Sequence, residues 1–163
     1  MTIPKAGMIN DFYKDCGIII SELKIDKESK SYNACSFKIG VKKIVYRTAK
    51  ITPTKAGQFV TIWKRNENEI TAPFDVSDDF DFIIINCANG DLVGQFIFPK
   101  TVLIEQKIIS SSKSSGKRGI RVYPAWDKNL NNQAQKTQQW QLNYFVNFSD
   151  EASLSLFNKL IIK

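Results

Sequence analysis

With 163 residues and a formal net charge of +7, the chain is long enough to bury one hydrophobic core and basic enough to favour polyanionic partners. It contains no histidine, which excludes Ser-His-Asp and Cys-His catalysis, histidine acid–base chemistry and nearly every zinc or haem site. Hydrophobic residues, at 43%, are too many for a disordered chain, and apolar runs such as residues 82–85 are too short to span a bilayer.

In chain order, residues 5–15 (KAGMINDFYKD) bring Ile9 and Phe12, and just beyond them Cys16, to helical spacing and predict a short amphipathic helix stopped at Gly17. Residues 18–25 (IIISELKI) predict a strand, and 26–31 a loop. Residues 36–39 and 43–48 make a hairpin with Gly40 in its turn. Residues 49–56 (AKITPTKA) read as a connection marked by Pro53. Two stretches then echo each other: GQFVTIWK at 57–64 and GQFIFPK at 94–100. In the first, Gln58, Val60, Ile62 and Lys64 share one strand face, with Phe59, Thr61 and Trp63 opposite. Between the echoes, FIIIN at 82–86 is apolar on both faces, as a central strand must be, and Asn89-Gly90 signals a hairpin turn. Residues 100–109 predict a helix opened by Pro99. Residues 131–145 (NNQAQKTQQWQLNYF) predict a longer one, with Ala134, Thr137, Gln138, Gln141 and Phe145 along one side. Ser149, Asp150 and Glu151 cap a last helix to about Asn158, whose Leu154 and Phe157 close the core. The pattern predicts one α/β or α+β domain, residues 1–163, with a central mixed sheet flanked by helices.

Three cysteines lie far apart without a CxxC pair, and the N-terminus lacks an apolar signal core; both point to a reducing, cytoplasmic setting. Without histidine, metal chemistry needs oxygen ligands and a hard ion such as magnesium. Charge is distributed in blocks. Between Glu28 and Glu67 there are nine cations and no acid; residues 66–99 hold seven acids and no cation; residues 106–126 hold five cations and no acid. The last block contains GKRGIRVYPAWD at 116–127, fed by a Ser/Gly/Lys run. A strand there puts Arg118, Ile120 and Val122 on one face and Arg121 and Tyr123 on the other, ended by Pro124. A cationic, aromatic-tipped strand beside a basic loop suits a phosphate-bearing polymer; the alternative is an ordinary strand whose arginines pair with surface carboxylates.

The stretches AKITPTKAGQFVTIWKR, GQFIFPK, GKRGIRVYPAWD and TQQWQLNYF together resemble the MepB family of small bacterial proteins, from about Glu28 to Phe145. That family is named for its place in an operon with a multidrug efflux pump and its repressor. The resemblance implies a sheet-and-helix domain with a core similar to the restriction-endonuclease-like PD-(D/E)XK nucleases. It also implies nucleic-acid binding, to RNA, DNA or both.

Such a nuclease needs an Asp on one strand and a Glu or Asp two residues before a Lys on the next, the carboxylates holding magnesium. Asp81, at the head of FIIIN, suits the first role. Across the turn the partner strand offers Gln95, with Lys100 five residues on, so Asp81 and Gln95 are the candidate metal pair. Glu28, in the family's KES stretch, is a candidate for the missing carboxylate. Two literal E-x-K triplets, at 22–24 and 105–107, are weak matches. Gln58 and Lys64 are candidates for the same cleft as Gln95 and Lys100; the alternative is sheet-edge residues making side-chain bonds. For phosphate contact the candidates are Lys113, Lys117, Arg118 and Arg121. Tyr123, Trp126 and Trp63 are candidates for base stacking; core packing is the alternative, favoured for Trp63 and Trp140 and open for Trp126. Three functions follow as expectations: a nucleic-acid-binding protein with weak or lost cleavage, a magnesium-dependent endonuclease, or a regulatory protein partner in a drug-response operon.

Overall fold

The computed structural model describes residues 9–162. In chain order its elements are α1 (Ile9–Asp15), β1 (Ser21–Ile25), β2 (Cys35–Ile39), β3 (Lys42–Thr48), β4 (Lys50–Ile51), β5 (Gln58–Thr61), β6 (Trp63–Arg65), β7 (Thr71–Pro73), β8 (Phe82–Asn89), β9 (Leu92–Pro99), α2 (Lys100–Glu105), β10 (Gly119–Val122), α3 (Asn132–Gln141), β11 (Phe145–Asn147) and α4 (Ser153–Ile162). The part of the first predicted helix before residue 9 lies outside the described residues.

Six strands build the main sheet in the order β1-β2-β3-β8-β9-β11. It is mixed, because β3 and β8 run parallel while the other pairs are antiparallel. The chain between β3 and β8 crosses through two smaller sheets, β10-β5-β4 and β6-β7. β8 is the central strand that its sequence demands. Ile83, Ile85 and Cys87 face one core with Phe96 and Phe98, while Phe82 and Ile84 face another with Ile97. The first core lies under α2, the three-stranded sheet and Trp140; the second lies under Ile9 and Tyr13 of α1 and Phe157 and Ile161 of α4. Gly90 closes the β8–β9 hairpin at φ 61°, a conformation that a Cβ resists. No helix among the described residues is long and apolar enough to cross a membrane.

Several predicted boundaries move for local reasons. The first strand starts only at Ser21, and Glu22 at φ 54° puts a bulge in its pairing with β2 between Ser21 and Lys24. The helix after Pro99 ends at Glu105, and Lys107 turns left-handed at φ 57°. The helix expected over 131–145 becomes α3, a 3-10 turn at Leu142–Tyr144, and then β11 pairing with β9. The last helix starts at Ser153 and runs on to Ile162, with Phe157 buried but Leu154 exposed. The two Gly-Gln-Phe stretches belong to different sheets, so their likeness reflects no shared place in one ladder.

Candidate nucleic-acid interface

β10 pairs antiparallel with β5, setting Arg121 opposite Phe59 and Val122 opposite Gln58. The strand period then acts as expected: Ile120 and Val122 enter the first core, and Arg121 and Tyr123 face outward. Helix α3 crosses this strand, held by its own glutamines. Gln141 is only 1% exposed; its Nε2 donates to Arg121 O (3.0 Å) and its Oε1 accepts from Tyr123 N (2.9 Å), so one amide pairs with the strand as a neighbouring peptide would. Gln138 Nε2 donates to the carbonyls of Pro124 (3.0 Å) and Asp127 (3.2 Å). Asn131 caps the helix by accepting from Ala134 N at 2.8 Å. These docking glutamines were not singled out as site residues from the sequence; the signal was their recurrence on the helix side that also carries Ala134.

Between α3, β10 and the loop at 54–56 lies a groove of about 780 Å³. Its charged lining is Lys55, Lys117 and Arg121, with no Asp or Glu; Phe59, Tyr123 and Trp140 supply aromatic walls. Arg121 is oriented by neutral groups: it donates to Thr52 Oγ1 (2.9 Å) and Ala56 O (3.2 Å) and lies over the Phe59 ring at 5.9 Å. Its guanidinium thus stays positive toward the groove, uncancelled by a carboxylate. Gly119 is needed here, since a Cβ would stand 2.6 Å from the Phe59 ring.

The remaining phosphate and stacking candidates divide. Lys117 lines the groove; Lys113 is exposed on the preceding loop, outside that lining; Arg118 is exposed but donates to Thr71 O at 3.1 Å, beside β7. Tyr123 lines the groove. Trp126 does not: its ring packs edge-on to Phe145 at 5.6 Å against the first core. Gln58 is 2% exposed, and its Nε2 donates to Ala88 O at 3.2 Å, which removes it from any open cleft. Lys64 pairs with Asp78 at 2.6 Å.

The proposed catalytic set does not assemble. Asp81 and Lys100 are neighbours, since Lys100 N donates to Asp81 O at 3.0 Å. But Asp81 Oδ2 accepts from Lys43 N at 2.8 Å, and Asp81 N donates to Lys43 O at 2.8 Å, so Asp81 pins the starts of β3 and β8 together. Lys100 Nζ donates to Asp78 O and stands 4.8 Å over the Phe80 ring. Gln95 sits opposite Asn86, five residues beyond Asp81 along β8, roughly 16 Å away. It is 0% exposed, accepts from the Tyr13 hydroxyl at 2.8 Å and donates to Asn86 Oδ1 at 3.0 Å. Buried amides need such partners, and that need accounts for this glutamine. Glu28 accepts from Arg65 Nε at 2.6 Å, so its carboxylate is engaged by a cation. Asp81 and Gln95 therefore do not fit a shared magnesium ion, and among the described residues no group of three or more Asp, Glu or Cys side chains is placed to hold one.

A family model described as MepB-like matches residues 26–147. The crystal structure of MepB is similar to this chain with a TM-score of 0.81 and 33% identity, covering 91% of this chain and 100% of that one. A bacterial homing endonuclease, I-Ssp6803I, is similar at 14% identity and a TM-score of 0.43 over 85% of this chain and 86% of that one, a likeness too slight to carry an argument. No curated protein matches the sequence.

Proposed function

The chain belongs to the MepB-like family, and from that premise we propose that it binds nucleic acid, RNA or DNA, in the groove between β10 and α3. In this reading it acts in the cytoplasm as a single MepB-like unit on a nuclease-like scaffold whose cleavage is weak or lost. The observation that carries the reading is the groove lining of three cations and no carboxylate. A backbone phosphate arriving there replaces the neutral acceptors of Arg121 with a charged one, and charge-assisted hydrogen bonds are roughly twice as strong as neutral ones. Lys55 and Lys117 add point charges, and each contact releases condensed counterions from the polymer. Tyr123 offers a ring on which an unpaired base stacks. No step is assigned to magnesium, because Asp81 lies just before β8 while Gln95 pairs with Asn86 inside the β8–β9 ladder.

Fluorescence polarisation with labelled RNA and DNA across a salt series tests the reading. Three phosphate contacts give a log–log salt slope of about −2 on a single strand, and Arg121→Ala brings it closer to zero by about 0.7. Affinity indifferent to salt and to Arg121 overturns the proposal. Incubation with magnesium or chelator should leave labelled strands intact in both; metal-dependent products would return the endonuclease reading to first place.

A further inference from the structure

The outer face of the three-stranded sheet carries residues that the groove alone does not use. Strand register sets Arg121, Phe59 and Lys50 in one row across β10, β5 and β4, a span of roughly 10 Å at the usual strand spacing. Side chains opposite one another on a ladder share a face, and here it is the outer one, since Gln58 and Val60 fill the inner face. Tyr32, at the end of the 3-10 turn Lys30–Tyr32, leans onto this row. Its ring meets that of Phe59 edge-on at 6.3 Å, and Lys50 Nζ stands 4.7 Å from its centre. Two half-exposed rings therefore lie between two cations, and among the described residues neither Lys50 nor Arg121 makes an ion pair with a carboxylate. The platform is continuous with the groove, because Phe59 and Arg121 also line the latter.

Resting on the groove reading, we propose that a bound single strand leaves the groove over Arg121 and continues across Phe59 and Tyr32 to Lys50. The rings there take one or two unpaired bases, and Lys50, exposed on a short edge strand, swings from the Tyr32 ring to a phosphate. Nucleotides supply both kinds of contact at each step, a π face and a phosphate, whereas an acidic peptide would match the cations and leave the rings unused.

Chain length separates the platform from the groove. Binding of labelled oligo-U of about five and about fifteen nucleotides is compared for the wild type, Lys50→Glu and Tyr32→Leu, since single-strand sites of this kind hold about four to sixteen nucleotides. The longer strand should lose about tenfold in affinity in each variant, and the shorter, held by the groove, less than about twofold. Lys50 is exposed, so Lys50→Glu carries the test even where Tyr32→Leu disturbs packing. Equal losses for both lengths, or none for the longer, overturn the platform. A wild type that binds both lengths through Arg121 while Lys50 and Tyr32 stay silent removes this inference alone. A wild type that binds neither removes the groove reading and this one with it.

Discussion

Lys64 and Arg121 each donate to oxygens within hydrogen-bond distance, but the oxygens differ in kind. That of Lys64 is the Asp78 carboxylate at 2.6 Å; those of Arg121 are the Thr52 hydroxyl at 2.9 Å and the Ala56 carbonyl at 3.2 Å. The same contrast separates part of the first basic block from the second, while Lys50 and Lys55 of the first block side with the second. In the first, Lys43 pairs with Asp79, Arg65 with Glu28, and the buried Arg47 with Asp26. The Lys43–Asp79 bond raises the lysine pKa and lowers that of the carboxyl, so both partners stay charged and face each other. In the second block the acceptors around Arg118 and Arg121 are backbone carbonyls and a hydroxyl, which orient a cation without neutralising it. Positive charge counted along a chain is thus not the charge a surface presents; the partner decides.

Exchanging roles between the two regions would break this contrast. The double variant Lys117→Ala/Arg121→Ala should weaken nucleic-acid binding by about a hundredfold, if each charged contact contributes the usual 1.5 kcal/mol or so. Lys43→Ala/Lys64→Ala removes as many positive charges yet should cost less than about threefold, since a paired surface cation has little left to offer; equal losses in the two double variants would show that net charge alone drives binding. Gln95→Leu separates architecture from chemistry. It removes the acceptor of the Tyr13 hydroxyl and a donor to Asn86, so chemical denaturation should show a loss of about 1–3 kcal/mol, with affinity unchanged. A smaller effect of opposite sign is expected from Asp79→Asn, which frees Lys43 and should tighten binding by less than about threefold. Smallest of all is the response to pH. Lacking histidine, the protein lacks the side chain that ordinarily changes charge near neutrality, and affinity should move less than about twofold between about pH 6 and pH 8.

Much of the fold was legible because its signals are local. FIIIN had to be an inner strand, since only a strand covered on both sides tolerates apolar residues at every position, and Asn89-Gly90 had to turn. The alternation in β10 by itself turns Arg121 and Tyr123 outward. The catalytic set was misplaced for a physical reason. Gln58 and Gln95 are polar residues in apolar strands, a pattern shared by functional side chains and by buried amides with partners; the Tyr13 hydroxyl, from a helix across the core, and the Asn86 side chain separate the cases for Gln95. Trp126 was equally ambiguous, and Phe145 resolves it toward packing. Tyr32 and Lys50 carried no signal at all, since their places beside Phe59 depend on a turn and on a two-residue strand.

By itself the sequence determined the absence of histidine chemistry, the inner strand, the turns and the outward face of β10, because periodicity and composition act over a few neighbouring residues. Tertiary structure alone decided which cations remain unneutralised. Lys43 meets Asp79 across 36 residues and Lys64 meets Asp78 across 14, and the chain that crosses from β3 through the small sheets to β8 is what brings the acidic block onto these lysines of the first basic block; Arg65 instead meets Glu28, across 37 residues. It leaves Lys55, Lys117 and Arg121 together with no carboxylate in the groove lining. Electrostatic attraction depends on distance in space, and sequence separation does not report it.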